Sequence, residues 1–153
     1  MKIYGIVAEY NPFHNGHKFQ IDEIRKKAGD CAIVSVMSGN YVQRAETAVM
    51  SKYARAKAAL LGGVDLVLEL PMPYAISSAE RFAYSSVHIL NSLGAVTDIS
   101  FGSECGSISI LKKAVEALYD ENVNLKLKAE LKNGVSYPAA RFAAVRDVFG
   151  AET

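Results

Sequence analysis

The chain has 153 residues, half of them hydrophobic, and its 17 basic and 16 acidic residues give a net charge of +1. This composition excludes a disordered chain and gives no overall charge that favours nucleic acid, and the length suits one domain with a sizeable core. Two cysteines, Cys31 and Cys105, lack metal-binding spacing and favour a reduced, cytoplasmic setting. Apolar runs too short to span a bilayer predict no membrane partner.

Strands alternate with helices in the hydrophobic pattern. Apolar runs predict strands at residues 3–8, 31–37, 65–70 and 96–101. Apolar spacing by three and four predicts a helix over residues 17–28, and further helices are expected at 46–61, from 77 or 78 to 93, at 108–119, at 124–131 and at about 138–148. Such alternation favours an α/β fold in which helices flank a parallel sheet.

Polar or glycine-containing segments stand at the end of each predicted strand. Residues 9–17 follow the first strand, Ser38-Gly39-Asn40 follows the second, Glu69 ends the third and Gly102-Ser103-Glu104 follows the fourth. Ligands of parallel α/β sheets bind beyond the carboxyl ends of the strands. We therefore expect these four segments to line one binding site.

The first of these segments reads Glu-Tyr-Asn-Pro-Phe-His-Asn-Gly-His and leads into a helix. The first turn of a helix has free N–H groups and a positive dipole end, so this loop predicts an anion site. His14 and His17 can both donate to phosphate oxygens, and Gly16 allows a ligand to lie against the backbone. The alternative makes His14 a loop cap and His17 a core residue. A zinc site is disfavoured because no third ligand is evident.

Other candidates each have a structural alternative. Asn11 either orients a substrate group or stabilises its own turn, and Glu9 either binds a ligand or caps the sheet edge. Arg44 can hold a carboxylate or phosphate in a bidentate manner, or it is a solvated surface residue. Glu69 can face the cleft. Gly102 either contacts a nucleotide or only supplies a bend.

A basic segment occurs in the predicted second helix, where Lys52, Arg55 and Lys57 have no acidic neighbour between Thr47 and Val64. These residues either form a small patch for RNA phosphates or, as we favour, a solvated helix face. The glycine-rich fingerprints of P-loop and dinucleotide-binding proteins are absent.

Residues 11–17 contain a His-x-Gly-His sequence that resembles the signature of the nucleotidyltransferase superfamily, which activates ATP at its α-phosphate. Three further stretches, at residues 38–44, 59–71 and 101–104, follow in the order found in the bacterial tRNA(Met) cytidine acetate ligases. The chain is therefore similar to that family. The resemblance implies a Rossmann-like (HUP-type) nucleotidyltransferase domain over residues 1–153, which binds ATP with Mg²⁺.

Roles for particular residues follow from the resemblance and from the clusters described above. We expect catalytic roles for His14, His17 and Asn11 and substrate binding by Asn40, Arg44 and Glu69, with no metal-ligating residue. The implied ATP-binding residues are Val7, Ala8, Glu9, Tyr10, Asn11, Pro12, Phe13, His14, Asn15, Gly16, His17 and Gly102.

The resemblance implies an ATP-dependent ligase that joins acetate to AMP and transfers the acetyl group to the wobble cytidine of elongator tRNA(Met), giving acetylcytidine. The alternatives are an adenylyltransferase for a small phosphate-bearing substrate and a nucleotide- or tRNA-binding module without turnover. Family members continue past Thr153 and carry further ATP-contacting residues there, so we expect a domain truncated relative to the family. The sequence leaves the oligomeric state open.

Overall fold

The computed structural model describes residues 1–149. The described residues fall into two compact units, Met1–Gly102 and a second unit that begins at Ser103. The expectation of a single domain stays a prediction. In chain order the elements are β1 (Lys2–Ala8), α1 (Asn15–Ala28), β2 (Cys31–Ser38), a 3₁₀ turn (Gln43–Ala45), α2 (Lys52–Leu61), β3 (Leu66–Leu70), α3 (Met72–Ala75), α4 (Ala79–Ser92), β4 (Asp98–Ser100), α5 (Ile108–Leu118), α6 (Glu121–Lys132) and α7 (Tyr137–Phe149).

The first unit contains a four-stranded sheet in the order β3-β2-β1-β4. Every pairing is parallel, and β1 lies between β2 and β4. The predicted parallel α/β sheet is therefore confirmed. The chain builds outward from β1 to β3 and then returns to the other side of β1. This reversal of strand order between β1 and β4 creates the crevice in which such sheets bind ligands.

Helices cover both faces of the sheet. Alternate residues of β2 enter two separate cores, since Ile33 and Met37 pack with residues of α1 and α2, whereas Val34 and Val36 pack with residues of α4. A strand that is buried on both faces needs apolar residues at nearly every position. This requirement explains the continuous apolar run from which β2 was predicted.

The start of α2 differs from the prediction. The helix expected from residue 46 begins only at Lys52, where the Ser51 side chain accepts a hydrogen bond from the backbone N–H of Ala54. Residues 40–48, which follow β2, form a loop closed by two backbone hydrogen bonds. The N–H of Val42 donates to the carbonyl oxygen of Glu46 at 2.9 Å, and the N–H of Ala48 donates to that of Asn40 at 3.0 Å. Residues 46–51 are therefore not helical, and the predicted boundary was wrong.

In its described part, residues 103–149, the second unit consists of three helices. Asp120 caps α6 by accepting from the N–H groups of Asn122 and Val123, and this cap starts the helix three residues before the predicted position. The buried hydrophobic side chains of this part are those of Ala117, Val123, Ala140 and Ala144. Among residues 1–149 we find no helix with both the length and the apolar character that crossing a bilayer requires.

Candidate functional site

The loop between β1 and α1 lies at the reversal of strand order and is anchored by Tyr10. The Tyr10 side chain is buried, and its backbone has a positive φ of 48°. Its ring packs against Phe13 at a centroid distance of 5.2 Å and against the edge of His17 at 4.9 Å. This aromatic cluster fixes where the first turn of α1 begins and holds His17 at the inner side of the loop.

The two histidines cap the helix reciprocally. The N–H of Gly16 donates to Nδ1 of His14 at 3.1 Å, and the N–H of His14 donates to Nδ1 of His17 at 3.2 Å. The two imidazole rings stack with centroids 3.7 Å apart. We expected free N–H groups at this helix tip, and the imidazoles occupy two of them. Among the described residues the N–H of Asn15 has no partner.

This cap determines which nitrogen of each ring is a donor. An imidazole nitrogen that accepts a hydrogen bond carries no proton, so both neutral rings carry theirs on Nε2. Neither Nε2 of His14 nor that of His17 has a hydrogen-bond partner among the described residues. Burial lowers the pKa of His17 below its usual value, and the neighbouring His14 lowers it further. The loop therefore presents two Nε2–H donors, and the His17 ring favours its neutral form.

Arg55 is the largest departure from the sequence interpretation. Expected on a solvated helix face or an RNA-binding patch, it is fully buried, so both interpretations were wrong for this residue. Its guanidinium donates to the carbonyl oxygens of Glu9, Ser38, Gly39 and Met50. No local pattern in the sequence marks Arg55, because its partners lie up to 46 residues away.

Glu9 and Asn11 both bind the backbone of the segment that follows β2. Oε1 of Glu9 accepts from the N–H of Gln43 at 2.7 Å, and Oδ1 of Asn11 accepts from the N–H of Val49 at 2.8 Å. Asn11 thus fastens a neighbouring loop rather than its own turn. Its Nδ2 has no partner within the described part of the chain and is available for a substrate group.

The predicted substrate-binding residues divide into two groups. Oε2 of Glu69 forms an ion pair with Nζ of Lys52 at 2.7 Å, and this partner raises the pKa of Lys52. The N–H of Lys52 also approaches Oδ1 of Asn40 at 3.5 Å. Arg44, by contrast, is exposed, has a φ of 64° and has no side-chain partner among the described residues. It is the one of the three that is free for an anionic ligand.

The end of β4 forms the other wall of the crevice. Gln20 of α1 ties this strand down, because its Nε2 donates to the carbonyl oxygen of Ser100 at 3.1 Å and to its Oγ at 3.2 Å. Gly102 follows in the open, with no atom within 4 Å of the position that a Cβ would take. Sequence analysis missed Gln20, whose predicted helix position gives no sign of a polar contact to β4.

The residues at this edge do not form a metal cage. In the part of the chain that the structure describes, no three His, Cys, Asp or Glu side chains come together in a way that could hold a metal ion. Mg²⁺ in nucleotide sites takes phosphate oxygens, water and one or two carboxylates. The nearby carboxylates, Glu9 and Glu69, are already engaged by a backbone N–H and by Lys52.

Comparison with known proteins decides the family. The model of the family described as HIGH Nucleotidyl Transferase matches residues 1–153. The chain belongs to this family. Among its relatives, the tRNA(Met) cytidine acetate ligase of Acetivibrio thermocellus is 49% identical over 148 residues, which cover 95% of this chain and 36% of that protein. The ligase of Caldicellulosiruptor saccharolyticus is 51% identical over 150 residues, which cover 97% of this chain and 37% of that protein.

Solved structures give the same result for the fold. The chain is similar to Thermotoga maritima TmcAL bound with alpha-thio ATP, with a TM-score of 0.88 and 44% identity over 97% of this chain and 37% of the other. For the apo form I of TmcAL the TM-score is 0.90, with 36% of that chain covered. The resemblance and the nucleotidyltransferase fold class that we predicted from sequence are confirmed. This HIGH nucleotidyltransferase chain spans little more than a third of the length of these relatives.

Proposed function

We propose that the chain is the ATP-binding, acyl-activating part of a tRNA(Met) cytidine acetate ligase. The reaction would activate acetate as acetyl-adenylate and pass the acetyl group to the wobble cytidine of elongator tRNA(Met). The support comes from relatives of that name at 49% and 51% identity and from the TmcAL structure with an ATP analogue at 44% identity.

One observation carries the proposal, namely the reciprocal cap formed by His14 and His17. The cap leaves two Nε2–H donors at the amino end of α1. Preorganised donors and a helix N-terminus both stabilise negative charge that develops on a phosphoryl group. Because Nδ1 of each ring accepts a backbone hydrogen bond, the orientation of both rings is fixed, and so is the direction of each Nε2–H.

In the first step a carboxylate oxygen of acetate attacks the α-phosphorus of ATP. The bond from that phosphorus to the bridging oxygen breaks, and pyrophosphate leaves with the electron pair. Nε2–H of His14 and of His17 would donate to α-phosphate oxygens as charge builds on them. In the second step the amine of the cytidine attacks the acetyl carbonyl, AMP leaves and the amine loses a proton.

Other residues take supporting roles in this proposal. Arg44, which is exposed and has no side-chain partner among residues 1–149, would hold the acetate carboxylate or a phosphate group. The free Nδ2 of Asn11 would orient the nucleotide, whose adenosine would lie against Gly102. Glu69 and Asn40 would act through Lys52, to which both are joined. Mg²⁺, when bound, would neutralise phosphate charge and would be held chiefly by the nucleotide's own oxygens.

The substitution His17→Asn tests the catalytic assignment. Asparagine keeps an acceptor at the position of Nδ1, so the cap on His14 persists, but it lacks the Nε2–H. Loss of one such donor lowers the rate by about 10²-fold, and we expect this loss in acetate-dependent exchange of pyrophosphate into ATP. His88→Asn is the matched control, since His88 lies in α4 and stacks on Tyr84 at 6.3 Å. Full activity of His17→Asn would remove His17 from the mechanism.

A second candidate is a nucleotide-binding module without turnover, in which the two Nε2–H donors hold a phosphate group but no acyl group is activated. Calorimetry with ATP and the exchange assay separate the two. Binding without exchange supports the module, and exchange that needs acetate supports the ligase. Exchange that needs instead a small phosphate-bearing substrate would indicate an adenylyltransferase.

A further inference from the structure

Arg55 joins three segments that meet at the carboxyl edge of the sheet. Nη1 donates to the carbonyl oxygen of Glu9, in the loop after β1. Nη2 donates to the carbonyl oxygens of Ser38, at 3.0 Å, and of Gly39, at the end of β2. Nε donates to the carbonyl oxygen of Met50 at 3.2 Å, just before α2. Among the described residues Arg55 is the only charged side chain that is buried, and it is 0% exposed.

The position of these bonds matters for a site that takes an anion. Carbonyl groups at the carboxyl ends of strands direct negative partial charge toward the edge where an anion would bind, and a guanidinium that binds them offsets that charge. The bonds also fix the spacing between the loop that carries the histidines and the loop after β2. With no exposed surface, Arg55 acts on a ligand only through the groups that it holds.

We propose that Arg55 is a positioning residue that sets the place of His14 and His17 relative to the end of β2. The importance of that placement for phosphate binding rests on the proposed function. The geometry itself does not, because all the bonds from Arg55 go to backbone carbonyls of this chain. Lysine cannot replace Arg55, since an ammonium group is a point charge, whereas the planar fork of arginine reaches several carbonyls at once.

Arg25 provides a matched control within the same unit. It also uses a guanidinium to bind backbone carbonyls, with Nη1 to Cys31 O at 3.0 Å and Nη2 to Gly63 O at 2.7 Å. Cys31 is the first residue of β2 and Gly63 precedes β3, so both carbonyls lie at the amino edge of the sheet, away from the histidines. Arg25→Lys therefore removes a similar guanidinium from the opposite edge of the sheet. We expect Arg25→Lys and Arg55→Lys each to lower the melting temperature.

The test compares Arg55→Lys, Arg55→Gln and Arg25→Lys by NMR of the three imidazoles and by calorimetry with ATP. Nitrogen chemical shifts of an imidazole report its tautomer and protonation. We expect both Arg55 variants to shift the His14 and His17 signals while the His88 signal stays constant. They should also weaken ATP binding about tenfold, which corresponds to about 1.4 kcal/mol, because the displaced imidazoles no longer match the phosphate oxygens. Arg25→Lys should change neither readout despite its lower melting temperature.

The proposal is overturned if His14 and His17 keep their signals in a folded Arg55 variant, or if Arg25→Lys shifts them equally. It is also overturned if both Arg55 variants fail to fold while Arg25→Lys folds, since Arg55 would then serve folding alone. Failure of the proposed function has a different signature. The unaltered chain would not bind ATP, and the imidazole signals would still decide the role of Arg55.

Discussion

At the scale of single residues, the histidine pair caps the helix through Nδ1 and keeps a donor on each ring, so two roles that sequence reasoning treated as alternatives are compatible. The sequence permitted either a capping His14 or a phosphate-binding His14. An imidazole has two nitrogens, and the structure uses Nδ1 of each ring for the backbone while Nε2 stays free. Residue type and spacing were sufficient to find the pair. They could not show which nitrogen of each ring binds the backbone, because that depends on the rotation of both rings.

The cap predicts a pH dependence of stability. The pKa of His17 is lowered in the folded state, so the unfolded chain binds a proton more readily. The neutral His17 ring therefore contributes to the stability of the folded state. This contribution is complete above about pH 6.5, the pKa of histidine in the unfolded chain, and it is lost as the pH falls through the lower pKa of the folded state. We expect the free energy of unfolding, measured with urea, to decrease as the pH is lowered from about 6.5 through the folded-state pKa of His17.

His17→Asn supplies the control for that measurement, because asparagine keeps the acceptor and does not titrate. Its stability should depend less on pH over the same interval, with the difference between the two proteins growing as the solution is acidified. Identical pH profiles for the two proteins would show that protonation of His17 is not coupled to folding.

Polar contacts between residues far apart in the chain were outside the reach of the sequence. Arg55 and Glu9 are separated by 46 residues, and Lys52 and Glu69 by 17. Helical periodicity placed Arg55 and Lys52 near one another on a helix, where solvent exposure is the ordinary expectation for basic residues. Only the packing of α2 against the strand ends reveals that one is buried and the other is paired.

At the scale of elements, most strands and helices follow from periodicity. The short helix α3 was not predicted, and the start of α2 is the more informative exception. Residues 46–51 have a composition that suits a helix, yet two of their backbone N–H groups form hydrogen bonds with other segments of the chain. Asn40 O accepts from the N–H of Ala48, and the Asn11 side chain accepts from the N–H of Val49. These tertiary bonds override a weak local preference, and the Ser51 cap then sets the start of α2.

The carboxyl end of α2 contacts the loop between β1 and α1, as Arg55 does near the start of the helix. A Cβ added to Gly62 would clash with the ring of Phe13, the residue before His14, and would lie 2.8 Å from its Cε1. The φ of Gly62 is −74°, so alanine is acceptable to the backbone and has the higher helix propensity. We nevertheless expect Gly62→Ala to lower the free energy of unfolding by about 1–3 kcal/mol, because the Phe13 ring must move.

Gly102→Ala is the comparison for that measurement, since nothing lies within 4 Å of its added Cβ. Its stability should change by less than about 0.5 kcal/mol, as for an ordinary surface substitution. Equal losses in the two variants, measured by chemical unfolding, would argue against a specific clash between Gly62 and Phe13.

At the scale of the whole molecule, the site arises where chain order reverses in the sheet. The sequence predicted that polar segments would gather beyond the strand ends, and a parallel sheet was enough for that inference. The strand order β3-β2-β1-β4 was not predictable, because several orders satisfy the same alternation of strands and helices. That order places the histidine loop and Gly102 on the two sides of one crevice, at the ends of neighbouring strands.

The last prediction concerns how much of the chain the site needs. Both hydrophobic cores of the sheet, the histidine cap and all four bonds of Arg55 lie within Met1–Gly102. We expect a fragment of residues 1–102 to fold and to show the His14 and His17 signals of the complete chain. Circular dichroism and NMR of the fragment provide the measurement. Loss of those signals in the fragment would favour the single domain over residues 1–153 that the sequence predicts, since the histidine loop would then depend on residues beyond Gly102.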